Sequence, residues 1–135
     1  MLGQGQLQQT IKESVSFTGV GLHSGQEINL KLRPQPAGTG IIFRRTDLED
    51  CPQIKISPAA VVSTLRCTSI GKEEETGLNF KIETVEHLLA AFWARGIDNI
   101  EVMIDGAEVP AADGSAGPFL TMLRETGVKE QKQLR

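Results

Sequence analysis

The sequence predicts an α+β domain, a two-layer sandwich in which a mainly antiparallel sheet carries two helices on one face. Three observations lead there. Several stretches alternate apolar and polar residues with the period of two that marks a half-buried strand. Two later segments carry the helical period instead. The order, strands first and then helix, strand and helix, suits segregated elements rather than the regular strand–helix alternation of a parallel sheet. At 135 residues the chain is long enough for one real core and short for two.

The clearest strand signal is Ile28, Leu30 and Leu32 interleaved with Asn29, Lys31 and Arg33. Leu78, Phe80 and Ile82 repeat it, as do Ile100, Val102 and Ile104, and GIIFRR from Gly40 reads as a shorter strand. The charged stretch GKEEETG, between the Cys67 and Leu78 segments, is bounded by glycines and reads as a solvated hairpin connection. A first helix is expected with Thr84 as N-cap, an apolar stripe of Val85, Leu88, Leu89 and Phe92, and Gly96 as its stop. In the second, Pro118 suits the first helical position, Phe119, Leu120 and Leu123 form the apolar face, and Gly127 closes it. VKEQKQLR, after Gly127, has no apolar periodicity and reads as a linker or frayed end. The domain is therefore expected over residues 1–127, with 128–135 as a tail.

Composition narrows the function classes. Hydrophobic residues at 39% and charged residues at 23% give the balance of a folded domain rather than a disordered one. No apolar run approaches the roughly 20 residues of a membrane-spanning helix, and MLGQGQLQQTIK lacks the basic-then-apolar layout of a signal peptide. A cytoplasmic location is expected. The formal charge of −3 comes with Lys and Arg scattered among acids, which argues against nucleic acid as the main partner and leaves an anionic small molecule open. Cys51 and Cys67 form no CxxC pair, so they are expected as free thiols rather than a disulfide or a cysteine zinc site.

The best candidates for chemistry are Glu86 and His87, adjacent in the expected first helical turn. The partial positive charge of a helix N-terminus favours a carboxylate at Glu86 and, at His87, the neutral imidazole that binds metals. Adjacent helical residues point about 100° apart, so one could ligate a metal while the other reaches a water beside it. A surface Glu-His pair of no function fits the same residues. His23 lies in GVGLHSG, whose glycines suit a tight loop. The loop leads into the strand EINLKL rather than a helix, so a dinucleotide-binding reading fails on context. Cys67 reads as a small buried residue before it reads as a nucleophile. Asp113, just before the second helix, reads as a turn brace. Asp98, Asp105 and Glu108 read as turn and surface residues, because their spacing matches neither an acid pair nor a metal loop.

GVGLHSG, LRPQPAGTGIIFRRTDL, STLRCTS, TVEHLLAA, GIDNIEV and EVPAADGSAGPF, in that order and with fitting spacing, resemble the N-terminal domain of the UDP-3-O-acyl-N-acetylglucosamine deacetylase family. The resemblance spans nearly the whole chain. It implies a zinc-dependent amidohydrolase of lipid A biosynthesis in Gram-negative bacteria, whose site lies between two similar domains. On that resemblance His87 falls on the zinc ligand of this domain and Glu86 on the general base. Cys67 matches a residue near the metal and the acyl passage, although Arg66 stands where an apolar residue is usual. Leu22 and His23 match a pair bordering the site of the UDP-linked acylated glucosamine substrate.

The other ligands, a histidine and an aspartate, and the histidine that protonates the leaving amine are implied to come from a C-terminal domain absent from this sequence. With two histidines and no HxxxD pair, the chain does not contain that second set. The zinc site is thus expected to need the partner domain, and the 135-residue chain alone to be inactive. The alternative is a stand-alone binding module of the same fold without catalysis. An enzyme half should expose an apolar surface beside Glu86 and His87, whereas a solitary module should be polar there.

Overall fold

The structure is a computed structural model and describes residues 6–57, 61–63, 69–74, 77–110 and 114–135. Its centre is a five-stranded sheet built from β2 (Val15–Val20), β3 (Glu27–Pro34), β4 (Ile41–Arg45), β5 (Gln53–Lys55) and β9 (Ile100–Ile104), in the order β2-β3-β9-β4-β5. The β4–β9 pair is parallel and the other pairs are antiparallel. Two helices, α1 (Glu86–Arg95) and α2 (Gly117–Thr126), complete the α+β architecture.

Alternation in the sequence decides which face of this sheet is covered. Along β3 buried and exposed residues alternate, with Ile28, Leu30 and Leu32 facing inward. The register sets Leu30 against Ile104 and Leu32 against Val102, and on the other side of β9 it sets Phe43 against Val102. These side chains form one core with Leu88, Ala91 and Phe92 of α1 and Phe119, Met122 and Leu123 of α2. Phe17 of β2 meets Phe119 at a ring-centroid distance of 5.2 Å, so the sheet edge is also packed on α2. On the opposite face Glu101 lies between Arg33 at 2.8 Å and Arg44 at 3.2 Å.

A three-stranded antiparallel sheet, β6 (Val61–Ser63), β7 (Ser69–Glu74) and β8 (Gly77–Ile82), stands apart from the first. The hairpin expected there is present, but most of GKEEETG is strand: Gly71 to Glu74 pair with β8. Arg45 joins the two sheets. Its guanidinium donates to both oxygens of Asp47, at 2.8 and 2.7 Å, and to the carbonyl of Lys81 in β8 at 3.0 Å.

The segment read as a linker or frayed end is instead β10 (Val128–Leu134), paired antiparallel with β1 (Leu7–Ile11). Apolar periodicity is missing because polar side chains fix this strand. Gln131 donates to the carbonyl of Gln35 at 2.8 Å and accepts from Asn99 at 2.7 Å, while Arg135 reaches Asp98 at 2.8 Å.

Both helices begin and end close to where the sequence places them, with one correction. Gly96 terminates α1 in the left-handed region at φ 70°, and Gly127 follows α2. Thr84, however, is not the N-cap. That position belongs to Val85, which supplies no side-chain cap, and Thr84 has φ 61°. Its hydroxyl donates to Glu108 instead of accepting a helix N–H.

Candidate active site

Three segments meet where α1 begins. Glu83 and Glu108 form a parallel β-bridge, with the Glu83 N–H on the Ala107 carbonyl at 2.7 Å and the Val109 N–H on the Glu83 carbonyl at 3.0 Å. Three residues after Glu83, Glu86 opens the helix and His87 follows. Both are half-buried and clear of the packed core. The third segment is the loop from Gly21 to Gln26, closed by the Gly21 N–H on the Gln26 carbonyl at 2.9 Å. Leu22 and His23 stand exposed on it.

Glu108 binds these segments together. Read from sequence as a surface residue, it is buried at 3% exposure. Its carboxylate accepts from the His23 N–H at 2.9 Å, the Ser24 N–H at 2.9 Å and the Thr84 hydroxyl at 3.1 Å. The sequence offers only a faint signal, the apolar neighbours Ala107, Val109 and Pro110. Gly21 makes room for it, since a Cβ there would fall on Glu108 Oε1 and Ser24 Oγ. Thr84 is itself nearly fully buried, and a β-branched residue at positive φ carries strain on the order of 1–3 kcal/mol. Such strain persists only where neighbours impose it, and it sits two residues before Glu86.

The remaining acids match their structural reading. Asp98 accepts from the Gln9 N–H at 2.8 Å, and Asp105 braces Asn29 through its N–H and side-chain amide, both at 2.8 Å. Cys51 is a free thiol. Cys67, Arg66 and Asp113 lie outside the described residues. Among the described residues no three His, Cys, Asp or Glu side chains gather as a metal site. No helix of the described residues is long and apolar enough to cross a membrane.

Among the described residues the carboxyls of Asp47 and Glu108 are held below their ordinary range. For Asp47, hydrogen bonding from the Arg45 side chain holds the pKa below 3.8, outweighing burial. For Glu108, burial acts to raise the pKa, but the His23 and Ser24 N–H groups with the Ser24 and Thr84 side chains outweigh it and hold it below 4.5. A depressed folded-state pKa stabilises the fold above the unfolded value and loses that contribution as pH falls through the folded one. The urea midpoint is therefore expected to fall as pH drops below about 4.5, with the Glu108→Gln variant showing a shallower fall. Equal slopes in the two proteins would contradict this.

The described residues thus form an α+β domain in which a Glu-His pair opens α1 beside a loop braced by Glu108. The sequence pattern of the UDP-3-O-acyl N-acetylglycosamine deacetylase family matches residues 8–135, and the chain belongs to that family. Relatives named UDP-3-O-acyl-N-acetylglucosamine deacetylase include those of Colwellia psychrerythraea, 48% identical over 90% of this chain, and Chromohalobacter salexigens, 46% identical over 92%. That of Chromobacterium violaceum is 46% identical over 93% of the chain. The chain spans about two fifths of the length of these relatives, 39% of the first two and 40% of the third.

Proposed function

We propose that this chain is the N-terminal half of a cytoplasmic zinc-dependent deacetylase acting on UDP-3-O-acyl-N-acetylglucosamine in lipid A biosynthesis, with Glu86 as general base and His87 as its one metal ligand. The observation that carries the reading is the family match over residues 8–135, within which Glu86 and His87 fall in the first turn of α1. Bound zinc would polarise the scissile carbonyl and make water more acidic. Glu86 takes the proton of the attacking water, and Leu22 and His23 flank the UDP-sugar, with Cys67 assigned to the acyl side by resemblance. The leaving amine takes its proton from a histidine of the C-terminal domain, which also completes the ligand set.

The surface of α1 supports this reading over a solitary binding module. Trp93 is 87% exposed, and it follows Glu86 by seven residues, two helical turns or about 10 Å along the same face. Leu22, at 66% exposed, adds apolar surface on the neighbouring loop. Apolar groups of this size, one at each end of α1, are what a partner domain laid along the helix would cover.

The test joins this chain to the part of the Colwellia psychrerythraea relative that it does not span. The chimera is expected to release acetate from the UDP-sugar, and residues 1–135 alone are expected to show only background. Turnover by the isolated chain, or none by a folded chimera, would refute the proposal.

A further inference from the structure

We propose that Glu108 is a positioning residue that locks the loop bearing Leu22 and His23 to the start of α1, setting the substrate-facing loop against Glu86. The proposal rests on the functional reading above for what the loop and Glu86 do.

Burying a carboxylate is unfavourable unless its oxygens are satisfied, and packing alone would be served better by an apolar side chain. Glu108 is kept buried at 3% exposure, and no Lys, Arg or His side chain among the described residues forms an ion pair with it. Its charge is balanced by oriented N–H and O–H groups, as in backbone anion nests. Those groups belong to two places. His23 and Ser24 are on the loop, at 2.9 Å each, and Thr84 is two residues before Glu86, at 3.1 Å. The Glu83–Glu108 bridge anchors the carboxylate's own backbone to the same helix start. One rigid side chain thereby fixes the distance between a loop and a helix end that share no strand pairing. The absence of a side chain at Gly21 is part of the device, since a methyl group would occupy the carboxylate's place.

Two variants test this. Glu108→Gln keeps the shape but turns one acceptor into a donor facing N–H groups, and Gly21→Ala displaces the carboxylate while leaving Glu108 intact. In residues 1–135 alone, amide hydrogen exchange at His23 and Ser24 is expected to accelerate about ten-fold in each variant, with Leu30 and Val102 in the core unchanged. In the active chimera, KM for the UDP-sugar is expected to rise about ten-fold and kcat to fall less, because the loop carries binding groups. Combining the variants should add little to either alone, because both remove one contact set.

Unchanged exchange at His23 and Ser24 in both variants would overturn the proposal, as would accelerated exchange with KM and kcat unaltered. An inactive native chimera would refute the functional reading and with it the catalytic half of the proposal. The exchange result would still decide whether Glu108 holds the loop.

Discussion

Glu86→Gln in the active chimera is expected to lower turnover by roughly 10²- to 10⁴-fold while the bound zinc is retained, the range for removing a general base. The substitution replaces a proton acceptor with a group of the same shape that cannot take a proton at neutral pH. Glu86 is half-buried at the first position of α1, where the helix is held by Leu88, Ala91 and Phe92 in the core. An isosteric change there leaves that packing untouched, so lost activity can be assigned to chemistry if the urea midpoint is unchanged. Turnover equal to the native value would remove Glu86 from the mechanism even with the family membership intact.

The largest effect on the fold is expected from Phe92→Ala, about 3–5 kcal/mol of lost stability. Phe92 is fully buried where α1 meets the sheet and α2, and its carbonyl accepts the Ile97 and Gly96 N–H groups that end the helix. Losing the ring leaves a cavity at that junction, in a protein whose net stability is on the order of 5–15 kcal/mol. Trp93→Ala, one residue along, removes a larger side chain that is 87% exposed and should change stability by no more than about 0.5 kcal/mol. Urea titration of both variants checks the contrast. Similar midpoint shifts would show that α1 is packed on a different face.

Phe92 also shows what was legible in the sequence. Val85, Leu88 and Phe92 stand at helical spacing, and all three are buried because period and packing agree. The strand β3 was legible for the same reason, alternating toward one covered face, and β9 through Ile100, Val102 and Ile104, although Glu101 between them is buried as well. β2 escaped notice because Gly19 interrupts its inward row after Phe17. β1 and β10 could not be read from apolar pattern, since hydrogen bonds from Gln131, Asn99 and Arg135 fix them and pair residues as distant as Gln35 and Gln131.

The site divides along a similar line. The place of Glu86 and His87 in a first helical turn was visible from their neighbours. Glu108 was not, because its role depends on contacts with His23, Ser24 and Thr84 that span 24 to 85 residues of sequence. Thr84 was misread as an N-cap because its residue type suits one. Only the fold shows that its hydroxyl is turned to Glu108.

The most direct test of the account is the zinc affinity of the chimera with and without His87. One tightly held zinc per native chimera is expected, and Glu86→Gln should hold it equally well. His87→Ala should lose metal affinity first and turnover as a consequence, with part of the turnover restored by excess zinc, because one of three protein ligands is gone. A His87→Ala chimera that binds zinc as tightly as the native protein would contradict the assignment of His87 as this chain's ligand.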